Sequence, residues 1–299
     1  MISARSELRL KSMIFDKSAE ILIVGLGVIG GGYASALTEK GYRIKCITKE
    51  KKDIDYALDR GMIEYGTTEV DEELIGSADL VIFALYPTVF IDWVKKYQHL
   101  FKSGAVITDV TGVKVSVVDE IQGILRDDVE FISAHPMAGR ERSGVEYSDP
   151  SVFKGANYII TPTKKNTEEA VSICKRLGEE LGFARISILT PKEHDDMIAF
   201  LSQLTHCIAI ALMTSNENEG LEKYTGDSFR DLTRIAKIND AMWSELFLMN
   251  KAPLIEQIDA FTSELSRLRD MIERGDRDSM RDMMKRSTSR RSLFDKHKA

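Results

Sequence analysis

The chain is 299 residues long, 43% hydrophobic and 29% charged, with a formal net charge of −6. That length exceeds one typical domain, and the mildly acidic balance argues against nucleic acid as a main partner. Cys46, Cys174 and Cys207 are widely spaced and form no CxxC, so neither a disulfide framework nor a metal site is expected. The opening stretch, residues 1–20, mixes charges throughout and lacks the apolar run of a signal peptide. No stretch is expected to approach the roughly eighteen uncharged residues of a membrane span. The expectation is a two-domain cytoplasmic protein without membrane or nucleic-acid partners.

The first predicted strand, Ile21-Leu22-Ile23-Val24, runs into Gly25-Leu26-Gly27-Val28-Ile29-Gly30. This is a GxGxxG turn with a strand before it, a predicted helix over 31–40 after it and a second predicted strand over 42–48. Gly25 makes the tight turn, Gly27 leaves no Cβ between backbone and a pyrophosphate, and Gly30 lets the helix pack closely on the sheet. A pyrophosphate would then rest on the helix N-terminal amides. Gly25 to Gly30 are therefore expected to bind a dinucleotide. The second strand ends at Thr48-Lys49-Glu50-Lys51-Lys52, where an NAD site would usually offer an acid to the ribose hydroxyls. A hydroxyl at Thr48 with Lys49 and Lys51 nearby suits a 2′-phosphate, which favours NADP over NAD, with Glu50 the alternative reader of the ribose.

Further strands are predicted over 79–85, 105–111, 129–134, 158–161 and 185–189, and helices over 53–60, 89–101, 115–125 and 167–181. This alternation predicts a Rossmann-type doubly wound, mainly parallel sheet over residues 1–189. Ligands bind at the carboxyl edge of such sheets, so Leu85, Asp109 and Gly112 join the expected cofactor residues. At the same edge, Val129-Glu130-Phe131-Ile132-Ser133 runs into Ala134-His135-Pro136-Met137-Ala138-Gly139. An imidazole at a strand end can accept or polarise a proton near neutral pH. From Pro191 onward no strand pattern appears. A long helix is predicted to Met213, with Ile208-Ala209-Ile210-Ala211-Leu212-Met213 apolar without interruption, followed by helices over 229–239, 240–249, 252–273 and 276–286. A helix apolar nearly all round must be covered, so residues 190–299 are expected to form an all-helical, homodimerising domain.

The chain resembles the bacterial prephenate and arogenate dehydrogenases from Ile21 to about Arg267. The resemblance rests on the Gly25–Gly30 fingerprint, on Asp109-Val110-Thr111-Gly112-Val113-Lys114 and on His135-Pro136-Met137-Ala138-Gly139-Arg140-Glu141. It also rests on His194-Asp195, the His206 helix, and Phe229-Arg230-Asp231-Leu232-Thr233-Arg234-Ile235-Ala236 with Trp243 beyond. It implies oxidative decarboxylation of prephenate to 4-hydroxyphenylpyruvate, or of arogenate to tyrosine. For that chemistry His135 would take the proton of the substrate's ring hydroxyl, and Arg234 would grip a carboxylate as a bidentate fork, unless it pairs with Asp231. Ser202 and His206, four apart on one helix face, would line the same pocket. Gln203, Trp243, Glu141, His194, Asp195 and Asp231 complete the expected substrate residues. Gly112 stands where many relatives have a serine that assists the catalytic histidine, and Thr111 or an ordered water is expected to replace it. Other readings are a different two-domain Rossmann dehydrogenase and a dinucleotide-binding dimer without catalysis.

Overall fold

The computed structural model describes residues 15–139 and 142–295. A parallel sheet of six strands carries the N-terminal half: β1 (Ile21–Val24), β2 (Ile44–Ile47), β3 (Tyr65–Thr67), β4 (Leu80–Phe83), β5 (Val106–Asp109) and β6 (Glu130–Phe131), in the order β3-β2-β1-β4-β5-β6. Helices α1 (Val28–Glu39), α2 (Lys51–Asp59), α3 (Glu72–Ser77), α4 (Pro87–Tyr97) and α5 (Val115–Ile124) connect the strands. The sheet explains the unbroken apolar runs. Ile21, Ile23, Leu80 and Ile82 enter one core with Tyr33 and Leu37 of α1. Leu22, Val24, Val81 and Phe83 enter the opposite core with Phe90 and Val94 of α4 and Val117 and Ile121 of α5. Strands buried on both faces need no alternation of polar residues. The short strand β3 was not predicted, since Tyr65-Gly66-Thr67 is an edge segment with little apolar pattern.

The run over 129–134, predicted as one strand, is split between two sheets. Residues 130–131 pair with β5, and after Ile132 the chain enters β7 (Ser133–Pro136). This strand pairs antiparallel with β8 (Asn157–Thr161), which runs parallel to β9 (Arg185–Ile188) beyond helix α6 (Glu168–Glu180). The split has a visible cause: the Asp109 carboxylate, not a backbone carbonyl, accepts from the Ser133 hydroxyl at 2.6 Å and the Ala134 N–H at 3.2 Å. His135 thus lies inside β7, opposite Ile159, rather than at the end of a strand of the larger sheet.

The helical half opens at α7 (Pro191–Ile198) with a capping box: the Glu193 N–H donates to the Thr190 hydroxyl, and Glu193 accepts from the Thr190 N–H. One π turn, Ala199–Gln203, leads into α8 (Leu204–Thr214). Next come α9 (Asp227–Thr233), a 3-10 turn over Arg234–Ala236, and α10 (Asp240–Met249). The predicted helix over 229–239 is therefore shorter, its last turn tightened after Thr233. Then follow α11 (Lys251–Glu273) and α12 (Arg277–Arg291), which turn at Gly275 with a positive φ of 69°. The described residues form two compact units that divide between Asn250 and Lys251, α7 to α10 belonging with the sheets.

The expectation that no segment approaches a membrane span in length and apolarity needs correcting. Residues 191–214 form a helix of mean hydropathy 1.7 over its best 18-residue window, long and apolar enough to cross a bilayer. Its run from Met197 to Asn216 holds no Asp, Glu, Lys or Arg. Within it Gln203 is buried and hydrogen-bonded, while Phe200, Leu201 and Met213 stay exposed in the single chain.

Candidate active site

The glycine turn is built as a dinucleotide cradle. Gly25 has φ +97°, and a Cβ there would stand 2.5 Å from the Ala84 carbonyl oxygen and 2.8 Å from Leu85. The Gly25 N–H donates to the Ile47 carbonyl at 2.8 Å, which ties the turn to β2. A Cβ on Gly30 would lie 2.1 Å from the Gly25 carbonyl oxygen, so only glycine allows the helix to start so close to the strand. A Cβ on Gly27 would meet nothing within 4 Å, and no side chain caps α1. Open space in front of uncapped helix amides is what a pyrophosphate requires. Leu26 is buried, and Val28 and Ile29 form the half-buried first turn of the helix.

At the end of β2 the Thr48 hydroxyl accepts from the Leu26 N–H at 3.3 Å, so this side chain also braces the cradle. Lys49 is exposed beside it. Lys51 is exposed as well, but its ammonium is 2.6 Å from Asp55, an i,i+4 pair on α2. Of the two lysines expected at a 2′-phosphate, Lys51 is thus already paired.

Asp109 and Thr111, expected at the cofactor and in catalysis, turn inward instead. Asp109 is buried and accepts from the Thr111 N–H, the Thr111 hydroxyl, the Ser133 hydroxyl, the Ala134 N–H and the Lys114 ammonium. The Thr111 hydroxyl also faces the Val113 carbonyl and Lys114, which leaves it committed away from His135. The physical reason is Lys114. Its fully buried ammonium needs a carboxylate, and it finds Asp109 at 2.8 Å and the Ala134 carbonyl at 2.7 Å.

His135 heads a chain of three side chains. Its Nδ1 lies 2.8 Å from Nε2 of His194, whose Nδ1 lies 2.7 Å from the Asp195 carboxylate. Asp195 also accepts from the backbone N–H groups of Lys114 and Val115, both at 2.8 Å, at the start of α5. A carboxylate only accepts, so His194 carries its proton on Nδ1 and presents a lone pair at Nε2. That lone pair takes the Nδ1–H of His135, whose own Nε2 is left as an acceptor. Burial, then the neighbouring His194 and Lys114, hold His135 well below its usual range. Burial likewise lowers His194, against the opposing pull of Asp195. Both shifts favour the neutral rings. His194 and Asp195, expected to touch substrate, are buried and joined by hydrogen bonds in series to His135.

The acceptor nitrogen faces Gly112. A Cβ on Gly112 would stand 3.8 Å from His135 Nε2 and 3.7 Å from Leu246, so the position where a serine would project lies directly before this nitrogen. Leu246 belongs to α10, which the Glu245 carboxylate and Asn239 fasten to the start of α4 through the Thr88 N–H and the Tyr86 hydroxyl. Three residues before Leu246, Trp243 stacks on His206 with ring centroids 3.6 Å apart. His206 Nδ1 donates to the Ser202 carbonyl at 2.9 Å, so Ser202 serves here through its backbone. Trp243 also borders an open apolar groove of about 320 Å³ with Ile210, Met213 and Phe247.

Gln203, expected among the substrate residues, is buried with both ends of its amide used: Nε2 donates to the Leu246 carbonyl and Oε1 accepts from Asn250. Asn250 donates in addition to the Asp195 carbonyl, which locks α7, the π turn and α10 together. Arg234 and Asp231 are exposed at the end of α9. Glu141 lies outside the described residues. Sequence reasoning missed Lys114 and Asn250 as site-building residues. A lysine between two valines at the head of an apolar helix is a signal for the first; nothing local marks the second.

Comparisons with known proteins give the family. The model of the prephenate dehydrogenase nucleotide-binding domain matches residues 33–187, and that of the prephenate dehydrogenase dimerization domain matches residues 190–286. A Bacillus subtilis prephenate dehydrogenase is 31% identical over 272 residues, covering 87% of this chain and 72% of its own. A cyclohexadienyl dehydrogenase of Zymomonas mobilis is 28% identical over 280 residues, covering 91% and 94%. The crystal structure of prephenate dehydrogenase from A. aeolicus, in complex with hydroxyphenyl propionate and NAD+, superposes with a TM-score of 0.87 at 32% identity, covering 95% of this chain and all of that one. The chain belongs to the prephenate dehydrogenase family, NAD(P)-dependent oxidoreductases with a nucleotide-binding domain followed by a dimerization domain.

Proposed function

We propose that this chain converts prephenate and NAD(P)+ to 4-hydroxyphenylpyruvate, carbon dioxide and NAD(P)H. The observation that carries the reading is the His135–His194–Asp195 series, which turns His135 Nε2 toward the space over Gly112. The cofactor, when bound on the Gly25–Gly30 cradle, supplies the nicotinamide that takes hydride from ring C4. His135 accepts the proton of the C4 hydroxyl as that bond to hydrogen breaks. A neutral ring with a fixed lone pair does this without first losing a proton of its own. Loss of the ring carboxylate as carbon dioxide then leaves its bonding pair in the ring and restores aromaticity, and the proton held on His135 returns to the C4 oxygen. Arg234 is our choice for a substrate carboxylate, since guanidinium binds such groups in a planar fork. His206 and Trp243 are assigned to the pocket wall. Glu141 and Asp231 are candidates for the side-chain end that distinguishes prephenate from arogenate.

NADP is proposed as the preferred cofactor because the end of β2 carries Thr48 and an exposed Lys49 in place of a carboxylate. The Lys51–Asp55 pair and the NAD+ of the A. aeolicus structure support NAD as the second reading. The nucleotide-binding role is assigned to residues 1–189. A homodimer, formed through residues 190–299, is proposed to cover the exposed apolar side chains of the long helix, including Leu201 and Met213. The protein, offered prephenate and then arogenate with each cofactor, should raise absorbance at the reduced-nicotinamide band fastest with prephenate. Cofactor binding without turnover of either substrate would leave the chain a non-catalytic dinucleotide-binding protein.

A further inference from the structure

Lys114 is buried to 0% exposure, an expensive place for an ammonium group. It is not placed on the substrate path, and a structural lysine could have been replaced by an apolar side chain at no loss of packing. Its contacts show what it holds. The ammonium bonds the Ala134 carbonyl, the peptide group leading into His135, and the backbone N–H of the same residue bonds Asp195, the far end of the histidine chain. One residue thus grips both ends of the His135–His194–Asp195 series.

We infer that Lys114 is a positioning residue that fixes the orientation of His135 and, through its ammonium, keeps that imidazole a neutral acceptor. The inference rests on the proposed role of His135 as the proton acceptor. The charged and titratable groups described around His135 are His194 and Asp195 on α7, and Asp109 and Lys114 beside β5 and α5. Asp195 faces His194 and the amides at the head of α5, and Asp109 is taken up by its own five donors. Asp109, which takes the Lys114 ammonium as one of those donors, offsets the cost of burying that charge, and His194 and then Lys114 oppose a positive charge on the adjacent imidazole. Burial of the ring acts in the same direction.

The test reads the ring itself, so it does not depend on turnover. The chain has five histidines, few enough to follow one by one by NMR, with His135 assigned from the signal lost in His135→Asn. Lys114→Gln removes the charge but leaves Asp109 unpaired, so the double variant Asp109→Asn/Lys114→Gln provides a neutral pair of matched shape. In both, the His135 midpoint should move up by about one pH unit or more, while His99 stays in place. In an active preparation the acidic limb of the kcat/KM profile with prephenate should move up with it. A His135 midpoint that stays put in a folded variant overturns the inference, as does a double variant that melts before it can be titrated, since the pair would then belong to the fold. Absence of prephenate turnover in the wild type, with the midpoint shifted as expected, would instead count against the proposed reaction.

Discussion

An imidazole accepts a proton only while it is neutral and aimed, and His135 meets both conditions through residues remote in sequence. Replacing it with Asn keeps a polar side chain of similar size but removes the base. Turnover should fall by about two to four powers of ten while cofactor affinity, measured by nucleotide titration, changes little. A variant that retains more than a tenth of wild-type turnover would remove His135 from the mechanism. At the other end of the cradle, Thr48→Asp places a carboxylate where the ribose hydroxyls of NAD would meet it and repels a 2′-phosphate. The ratio of kcat/KM for NADP against NAD should invert. A wild type that already prefers NAD tenfold would show that another residue reads the ribose. At this scale the glycines were legible in the sequence because each answers a local steric demand. The partners of His135 were not, for Lys114 and Asp195 meet across 81 residues, and His194 with Asp195 read equally well as substrate contacts. Asp109 and Thr111 misled for a related reason. A polar residue at a strand's carboxyl end turns either to ligand or to core, and a buried lysine five residues on decides which.

Among the elements, the strand–helix alternation to β9 and the helical second half were legible from apolar patterning. The break between β6 and β7 was not, because it comes from a side-chain acceptor on β5 that carries no periodic signal. The π turn over Ala199–Gln203 was equally hidden, since apolar spacing over a few residues does not separate π from α winding. Its buried amide explains its cost. Gln203 sits where the helix widens and is satisfied only because the Leu246 carbonyl and Asn250 meet it. Asn250→Ala would strip a donor from both Gln203 and the Asp195 carbonyl. The variant should lose about 1–3 kcal/mol in urea unfolding, as expected for buried acceptors left unpaired. An unchanged midpoint at an unchanged slope would mean that water replaces the amide and that the lock is dispensable.

For the whole molecule the histidine pair links stability to pH. Both rings resist protonation when folded, whereas the unfolded chain takes up protons near the ordinary value of about 6.5. The unfolded state then binds more protons below that value, so this contribution is intact above about pH 6.5 and is lost as the pH falls toward the lower folded values. The thermal midpoint should drop by a few degrees between about pH 7.5 and pH 5.5, and His194→Asn should flatten that slope. A wild-type midpoint equal at both values would show that the folded rings protonate as freely as the unfolded ones. The double duty of Asp195 has a consequence for assembly. Its Oδ1 accepts from both the Lys114 N–H and His194 Nδ1 while its Oδ2 accepts from the Val115 N–H, so the helix cannot fray there without loosening His194. Under the proposed role of His135, competence is an all-or-none property of one cooperative segment rather than a quantity that wears away gradually. The amide hydrogens of Lys114 and Val115 become its clock: their rate of exchange with deuterated solvent measures how often the molecule briefly ceases to be a catalyst.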